Sequence, residues 1–173
     1  MSEYPYLAAL LPMLSFGETE FPSSERFLEE AGKWLGEEEF DVLSGTGIGD
    51  YTSTDHPLEL VAEYCRFERR IRSDIAAYVE SRRAGREHKT NAFPTSYLKD
   101  TTPLEAEQRL LRLRWDYIAA ELNTHHADLH ALIVYRLKVQ ILERLAAFDP
   151  ERGGDHFREL TDVASIPRQQ RAD

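Results

Sequence analysis

The sequence has a single cysteine, Cys65, among its 173 residues. An intrachain disulfide is therefore excluded, and this cysteine content is typical of a reducing compartment. Hydrophobic residues make up 42% of the chain, which is enough to build a core without a cross-link or a structural metal. We expect a protein that folds by burying apolar side chains.

Long apolar runs are also missing. The two longest, at residues 7–14 and 131–135, fall well short of the roughly 20 apolar residues that a membrane-spanning helix needs. The N-terminus has neither the basic start nor the apolar centre of a signal peptide. We therefore expect a cytoplasmic protein that does not itself span a membrane.

Positive charge is in deficit: 21 lysine and arginine residues stand against 31 aspartate and glutamate residues, for a net charge of −10. A surface of this sign repels phosphate backbones and anionic lipid, so we do not expect nucleic acid to be the partner. Arginines nevertheless cluster at 66–72 and 109–114, where a local basic face can form.

Signatures of catalysis are missing as well, since the sequence contains no nucleophile elbow and no cysteine-centred motif. Residues 45–50, Gly-Thr-Gly-Ile-Gly-Asp, look superficially like a phosphate-binding loop. Such a loop follows a strand, whereas a predicted helix precedes this one, and no Gly-Lys-Ser/Thr follows it. We interpret the stretch as a flexible connector, and we expect no enzymatic activity and no cofactor.

What the sequence does contain is helical periodicity, without any strand pattern. Helices are predicted over residues 24–35, 37–43, 57–84, 103–123, 127–148 and 151–164. The clearest start is Thr102-Pro103-Leu104-Glu105, which combines a capping box with proline at the first helical position. The predicted fold is all-α, an antiparallel bundle of three long helices with shorter N-terminal helices. It forms one domain over residues 1–164, followed by a disordered tail over 165–173.

The predicted helix over 127–148 is apolar around most of its circumference and is the candidate centre of the core. The helix over 103–123 has two apolar faces, which is typical of a helix that lies between other elements. We expect five side chains of these two helices to be deeply buried: Leu111, Trp115, Tyr135, Ile141 and Leu142.

Lys138 lies in the middle of the wide apolar arc of the helix over 127–148. Burying a lysine without a partner is costly, so its ammonium group has to reach water or a carboxylate. The neighbouring helices offer Glu107, Arg114 and Glu68. We therefore predict a polar network of Lys138, Glu68, Glu107 and Arg114, either fixing the register of the helices or forming a site with shifted pKa values.

Three histidines, His125, His126 and His130, lie close together with Asp128 between them. His126 and His130 are four residues apart, so they can share one helical face and a metal ion. The simpler interpretation is a set of solvent-side residues at the start of a helix. Metal binding is kept as the less favoured alternative.

The segment over residues 4–21 is rich in apolar side chains but is broken by prolines and a glycine. It carries more apolar side chains than a short broken segment easily buries on one face of a bundle. We predict that Tyr4, Tyr6, Leu7 and Phe16 belong to an exposed surface for a partner. The alternative is that the segment covers one end of the bundle.

Three stretches together resemble a known family. They are residues 6–17 (YLAALLPMLSFG) with 23–28 (SSERFL), residues 109–117 (RLLRLRWDY), and residues 137–144 (LKVQILER) with Phe148-Asp149 and Gly153. In this order they resemble the bacterial family catalogued as domain of unknown function 2764. The resemblance covers most of the chain apart from the loops over 44–56 and 85–101 and the tail.

Genes of that family typically lie in operons for the rotary V/A-type ATPase, and the family is similar in suspected role to the C (or d) subunit. That helical subunit caps the membrane rotor ring and receives the central stalk. The resemblance implies a non-catalytic subunit that contacts other ATPase subunits and is held at the cytoplasmic side of the inner membrane through the complex. An assembly factor outside the finished complex and a small helical metalloenzyme using His125, His126 and His130 are the alternatives.

Overall fold

The computed structural model describes residues 4–122 and 127–148. Within these ranges the chain is mostly helical and has no β-strand, which confirms the predicted all-α class. The helices are α1 (Pro5–Leu10), α2 (Ser24–Ala31), α3 (Glu37–Gly45), α4 (Glu59–Arg83), α5 (Pro103–Leu122) and α6 (Leu129–Ala146), with a 3₁₀ turn at Thr95–Tyr97. None of these helices is long and apolar enough to cross a membrane. The helix predicted over 151–164 and the tail lie outside the described residues, so the boundaries of the single domain stay a prediction.

Local chemistry fixes the starts of α5 and α6. Thr102 Oγ1 accepts a hydrogen bond from the Glu105 amide at 3.2 Å, while Glu105 Oε2 accepts one from the Thr102 amide at 2.9 Å. This reciprocal pair is the capping box that the sequence predicts. At α6, Asp128 Oδ1 accepts from the Ala131 amide at 3.1 Å and satisfies one of the free donors of the first turn.

Two predicted helix boundaries are wrong by a few residues. Pro57 does not open α4, because the Leu58 amide donates to His56 Nδ1 at 3.0 Å and holds the chain in a turn before the helix. Helix α2 ends at Ala31 instead of residue 35, since the chain continues in tight turns such as Trp34 N–H to Ala31 O at 3.0 Å.

Helices α5 and α6 form the most extensive helix pair, and they run antiparallel. Glu107 near the start of α5 meets Arg144 near the end of α6, and Trp115 further along α5 meets Lys138 further back in α6. The short connection between the two helices requires this direction. Helix α6 also packs against α2 and α3, which explains why it is buried around most of its circumference.

Helix α4 contacts α5 through an aromatic pair and a charged pair. The rings of Phe67 and Tyr117 stack with their centroids 3.8 Å apart, and Glu68 meets Arg114 beside them. These contacts join α4 to the antiparallel pair of α5 and α6 along its first half.

Four of the five expected core residues are buried. Leu111, Trp115, Ile141 and Leu142 are at most 7% exposed, and all four belong to one hydrophobic cluster. The prediction for Tyr135 is wrong: its ring is only partly buried and lies against Phe27 at the edge of the core, with centroids 5.1 Å apart. The position of Tyr135 on the α2 side of α6 leaves one flank of its ring uncovered.

Candidate functional site

A buried carboxylate, Glu68, forms the polar centre of the helix pack. Its side chain is fully buried. Arg114 donates two hydrogen bonds to the carboxylate, from Nε to Oε2 and from a terminal guanidinium nitrogen to Oε1, each 2.8 Å long. Arg72, one turn further along α4, adds a third bond to Oε1 at 2.9 Å. The prediction that Glu68 and Arg114 meet is confirmed, and Glu68 lies inside the core.

The surroundings of this ion pair favour a structural role. Burial alone would lower the pKa of Arg114, but the hydrogen bonds and charge of Glu68 outweigh burial and raise it. Burial, followed by the charge of Glu68, raises the pKa of the neighbouring Tyr64 far above its ordinary value, and the Tyr64 hydroxyl donates to Ile48 O at 3.0 Å. The adjacent cavity, lined in part by Tyr64, is only about 10 Å³, which is room for one water at most. The pair therefore clamps α4 to α5 and has no space for a substrate.

The prediction for Lys138 is wrong, since no carboxylate of the described residues lies within ion-pair distance of its ammonium group. Both Glu68 oxygens are engaged by Arg114 and Arg72, and Glu107 pairs with Arg144 at 3.3 Å. The Lys138 ammonium lies instead over the ring of Trp115, 4.8 Å from its centroid. Partial burial lowers the pKa of Lys138, and the ring face compensates part of the lost hydration.

The glycine-containing loop after α3 is anchored to the helices, so the interpretation as a flexible connector is wrong. The Arg136 guanidinium donates to Thr46 O at 2.8 Å and to Ser44 O at 2.9 Å, and the Ile48 amide donates to Gln140 Oε1 at 2.8 Å. A phosphate-binding loop presents free amide donors to its ligand, whereas this loop presents carbonyls to guanidinium groups.

Arg136 is a buried residue that the sequence analysis missed. It is 8% exposed, and burial lowers its pKa even though its guanidinium binds two loop carbonyls. The available signal was the same as for Lys138, namely a cation within the apolar arc of α6. A helical wheel does not show backbone carbonyls, so it could not reveal the two loop carbonyls that Arg136 binds.

Of the three histidines, only His130 belongs to the described residues. Its Nδ1 lies 3.5 Å from Asp128 Oδ2, while the other oxygen of Asp128 caps α6. The described residues contain no group of three side chains placed to hold a metal ion. His125 and His126 lie outside the described residues, so the metal alternative stays an untested prediction.

The four residues predicted for a partner surface have different positions. Leu7 is fully buried in the core, so its assignment to the surface is wrong; α1 turns it inward against the bundle. Phe16 is half-buried, edge-on to Trp115 with centroids 5.6 Å apart. Tyr4 is also half-buried, and its hydroxyl donates to Glu39. Tyr6 alone is well exposed, at 75%.

Tyr6 belongs to a larger set of exposed apolar side chains. We define the α1 patch as Tyr6, Leu10, Met13 and Trp34, which are 75%, 63%, 91% and 45% exposed. Tyr6 and Leu10 lie four residues apart on one face of α1, and Tyr6 stacks on Trp34 with centroids 6.3 Å apart. Trp34 was missed because it lies beyond the N-terminal segment, in the turn after α2. Its signal in the sequence was a large aromatic side chain between Lys33 and Leu35, near the end of the predicted helix over 24–35.

The chain matches no protein-family model, no curated protein and no solved structure. The resemblance to the family found in V/A-type ATPase operons therefore rests on the three stretches described above.

Proposed function

We propose that this chain is a non-catalytic accessory or central-stalk-like subunit of a V/A-type rotary ATPase, which acts by contacting other subunits of that complex. The resemblance of residues 6–17, 109–117 and 137–144 to the ATPase-operon family supports the choice of partner. The single structural observation that carries a role in protein contact is the α1 patch. Through the complex, the protein would be held at the cytoplasmic side of the inner membrane.

The composition and exposure of the α1 patch support a contact role. Two of its members are aromatic and one is methionine, residue types that are enriched at the centres of protein interfaces. Burying one such side chain removes apolar surface from water at roughly 25 cal/mol per Å². In the isolated chain this surface faces solvent, so a partner that covers it gains this free energy.

The bundle itself would act as a rigid support for the patch. In this proposal α4, α5 and α6 form an antiparallel bundle of three long helices, and the ion pair of Glu68 with Arg114 fixes their register. Helix α1 lies on this support through the buried side chain of Leu7. The partner would thus meet a preformed surface, which lowers the entropy lost on binding.

Charged substitutions in the α1 patch test this function. Tyr6→Glu and Met13→Glu should leave the thermal unfolding temperature nearly unchanged, because both side chains are exposed, but should abolish copurification with the ATPase subunits. Leu104→Glu is the matched control, since Leu104 is 45% exposed on α5, outside the patch. If both patch variants fold and still copurify at the wild-type stoichiometry, the α1 patch is not the docking surface.

Phe16 provides a contrast within the same segment. Because its ring lies against Trp115, Phe16→Glu should lower the unfolding temperature clearly, whatever the partner. A Phe16→Glu variant as stable as the wild type would show that the segment is less firmly packed than its contacts indicate.

The alternative functions predict different ratios of this chain to the ATPase subunits and different metal contents of the purified protein. A permanent subunit copurifies with the finished ATPase at a fixed ratio, whereas an assembly factor is absent from the finished complex. A metalloenzyme using His125, His126 and His130 would carry metal after purification. The proposed non-catalytic role predicts no nucleotide hydrolysis by the protein alone. Steady ATPase activity that a point mutation in this chain abolishes would refute it.

A further inference from the structure

The loop between α4 and α5 folds back along the last turns of α4 and borders an open surface cavity of about 540 Å³, whose charged lining residues are exposed. Asp74 Oδ2 accepts the backbone amides of Asn91 and Ala92, each at 2.6 Å, and ties the loop to the helix. Thr90 Oγ1 donates to Phe93 O at 2.5 Å and closes the turn above it. The cavity lies within the roughly 300–1,000 Å³ that is usual for small-molecule sites.

Basic side chains dominate the lining of this cavity. Its charged residues are Arg82, Arg86, Lys89 and Lys99 against Glu87 and Asp100, so four positive and two negative charges give +2 with His88 counted as neutral. The chain as a whole has a net charge of −10. The net charge of the cavity lining is therefore positive, opposite in sign to the net charge of the whole chain.

Each of the four basic side chains lacks a hydrogen-bond or ion-pair partner among the described residues, as do the exposed arginines Arg26, Arg70 and Arg83. The other guanidinium groups of the described residues are engaged. Arg66, Arg72, Arg112, Arg114 and Arg144 pair with carboxylates, while Arg69, Arg109 and Arg136 bind backbone carbonyls. Like charges that converge on one cavity repel one another, and a bound anion relieves that repulsion.

The C-terminal dipole of α4 does not account for this cluster. Arg82 lies in the last turn, where a cation is favourable, but Lys89 and Lys99 lie well beyond the helix end and the dipole acts within about one turn. The turn at Gly85, which has a φ of +67°, also satisfies the helix carbonyls, since the Arg86 amide donates to Ser81 O at 2.8 Å.

A second observation also indicates a ligand. His88 lines the same cavity, and its Nε2 is shielded from solvent without a hydrogen-bond partner among the described residues. Buried polar atoms nearly always have a partner in native proteins. After a small movement of the His88 side chain, a ligand oxygen could reach Nε2 and become its missing hydrogen-bond partner.

We propose that this cavity binds a phosphate-bearing anion with at least two negative charges, either a free diphosphate group or a phospholipid headgroup. The guanidinium groups of Arg82 and Arg86 can each donate two hydrogen bonds to phosphate oxygens, while Lys89 and Lys99 act as point charges. This inference does not depend on the proposed ATPase role, because no residue of the α1 patch takes part.

Calorimetric titration of the full chain with inorganic pyrophosphate tests the site. Wild-type protein should bind with a Kd below about 1 mM at low salt, and affinity should fall as salt screens the charges. Arg82→Gln with Arg86→Gln should weaken binding by at least about tenfold, as expected when charge-assisted hydrogen bonds are lost. Arg26→Gln with Arg70→Gln is the matched control, because it removes the same charge from exposed arginines outside the cavity.

Cosedimentation with vesicles separates the two sources of phosphate. Binding to phosphatidylcholine vesicles only when cardiolipin, whose headgroup carries two phosphates, is added, and its loss in the double cavity variant, would assign the site to a lipid headgroup. Pyrophosphate binding without vesicle binding would assign it to a free anion. The proposal is overturned if neither probe binds, or if the control variant loses as much affinity as the cavity variant.

Discussion

Changing Glu68 to glutamine keeps the size of the side chain but removes the negative charge that faces Arg114 and Arg72. Glu68 is fully buried, and Arg114, at 9% exposed, holds it with two hydrogen bonds of 2.8 Å. A glutamine amide can accept at one position only, and its NH₂ group would face a guanidinium donor. The substitution thus leaves a buried cation without its counter-charge.

Breaking a buried ion pair in this way costs about 3–5 kcal/mol of unfolding free energy. The matched control is Glu107→Gln, the same chemical change in the pair of Glu107 with Arg144. Those side chains are 34% and 54% exposed, so solvent screens the interaction and the expected cost is about 0–1 kcal/mol. The difference between the two variants isolates the effect of burial.

Urea denaturation followed by circular dichroism measures both costs. With a slope of about 2 kcal/mol per molar urea, Glu68→Gln should lower the midpoint by about 1.5–2.5 M. A double variant, Glu68→Leu with Arg114→Leu, should recover most of the loss, because no unpaired charge then stays buried. If Glu68→Gln costs no more than Glu107→Gln, the assignment of a buried clamp between α4 and α5 is incorrect.

Three further predictions concern the core, the loop after α3 and the cysteine. Leu142→Ala should cost about 2–5 kcal/mol in chemical denaturation, and a loss below about 0.5 kcal/mol would contradict its burial. Burial opposes the charge on Asp50, but hydrogen bonds from Ser53 and Thr52 outweigh it and lower its pKa from 3.8 to about 2. The stability due to Asp50 is thus present above pH 3.8 and is lost as pH falls toward 2, and Asp50→Asn should lack this part of an acid titration. Burial raises the pKa of Cys65 to about 11, so iodoacetamide at neutral pH should label it slowly in native protein and rapidly in denaturant; equal rates would refute its enclosure.

The helical class and several helix starts follow from the sequence because they depend on residues only a few positions apart. The capping box of Thr102 and Glu105 acts across three residues, and the apolar arc of α6 repeats every turn. The start predicted at Pro57 is wrong for a reason that is also local: the Leu58 amide donates to the His56 side chain in a turn, and the helix begins only at Glu59.

The partners of buried polar groups could not be read from helical wheels. A wheel shows which side chains face the core, so it identified Lys138 and Glu68 as polar groups that need partners. A wheel does not show which of several cations reaches a given carboxylate. In the structure Arg114 and Arg72 donate the hydrogen bonds to Glu68, and Lys138 does not reach it. Lys138 therefore lies over Trp115, a partner that charge counting does not suggest.

The two candidate binding surfaces depend on tertiary structure to different degrees. The sequence by itself determined that residues 4–21 carry an excess of apolar side chains, and that the chain is acidic with few basic clusters. Only packing decided that Leu7 is buried while Tyr6 and Trp34 stack at the surface. Likewise, Lys99 joins Arg82 in one cavity only because Asp74 ties the loop back to α4. Composition and periodicity are properties of neighbours in sequence, whereas a site depends on long-range contacts that bring distant residues together.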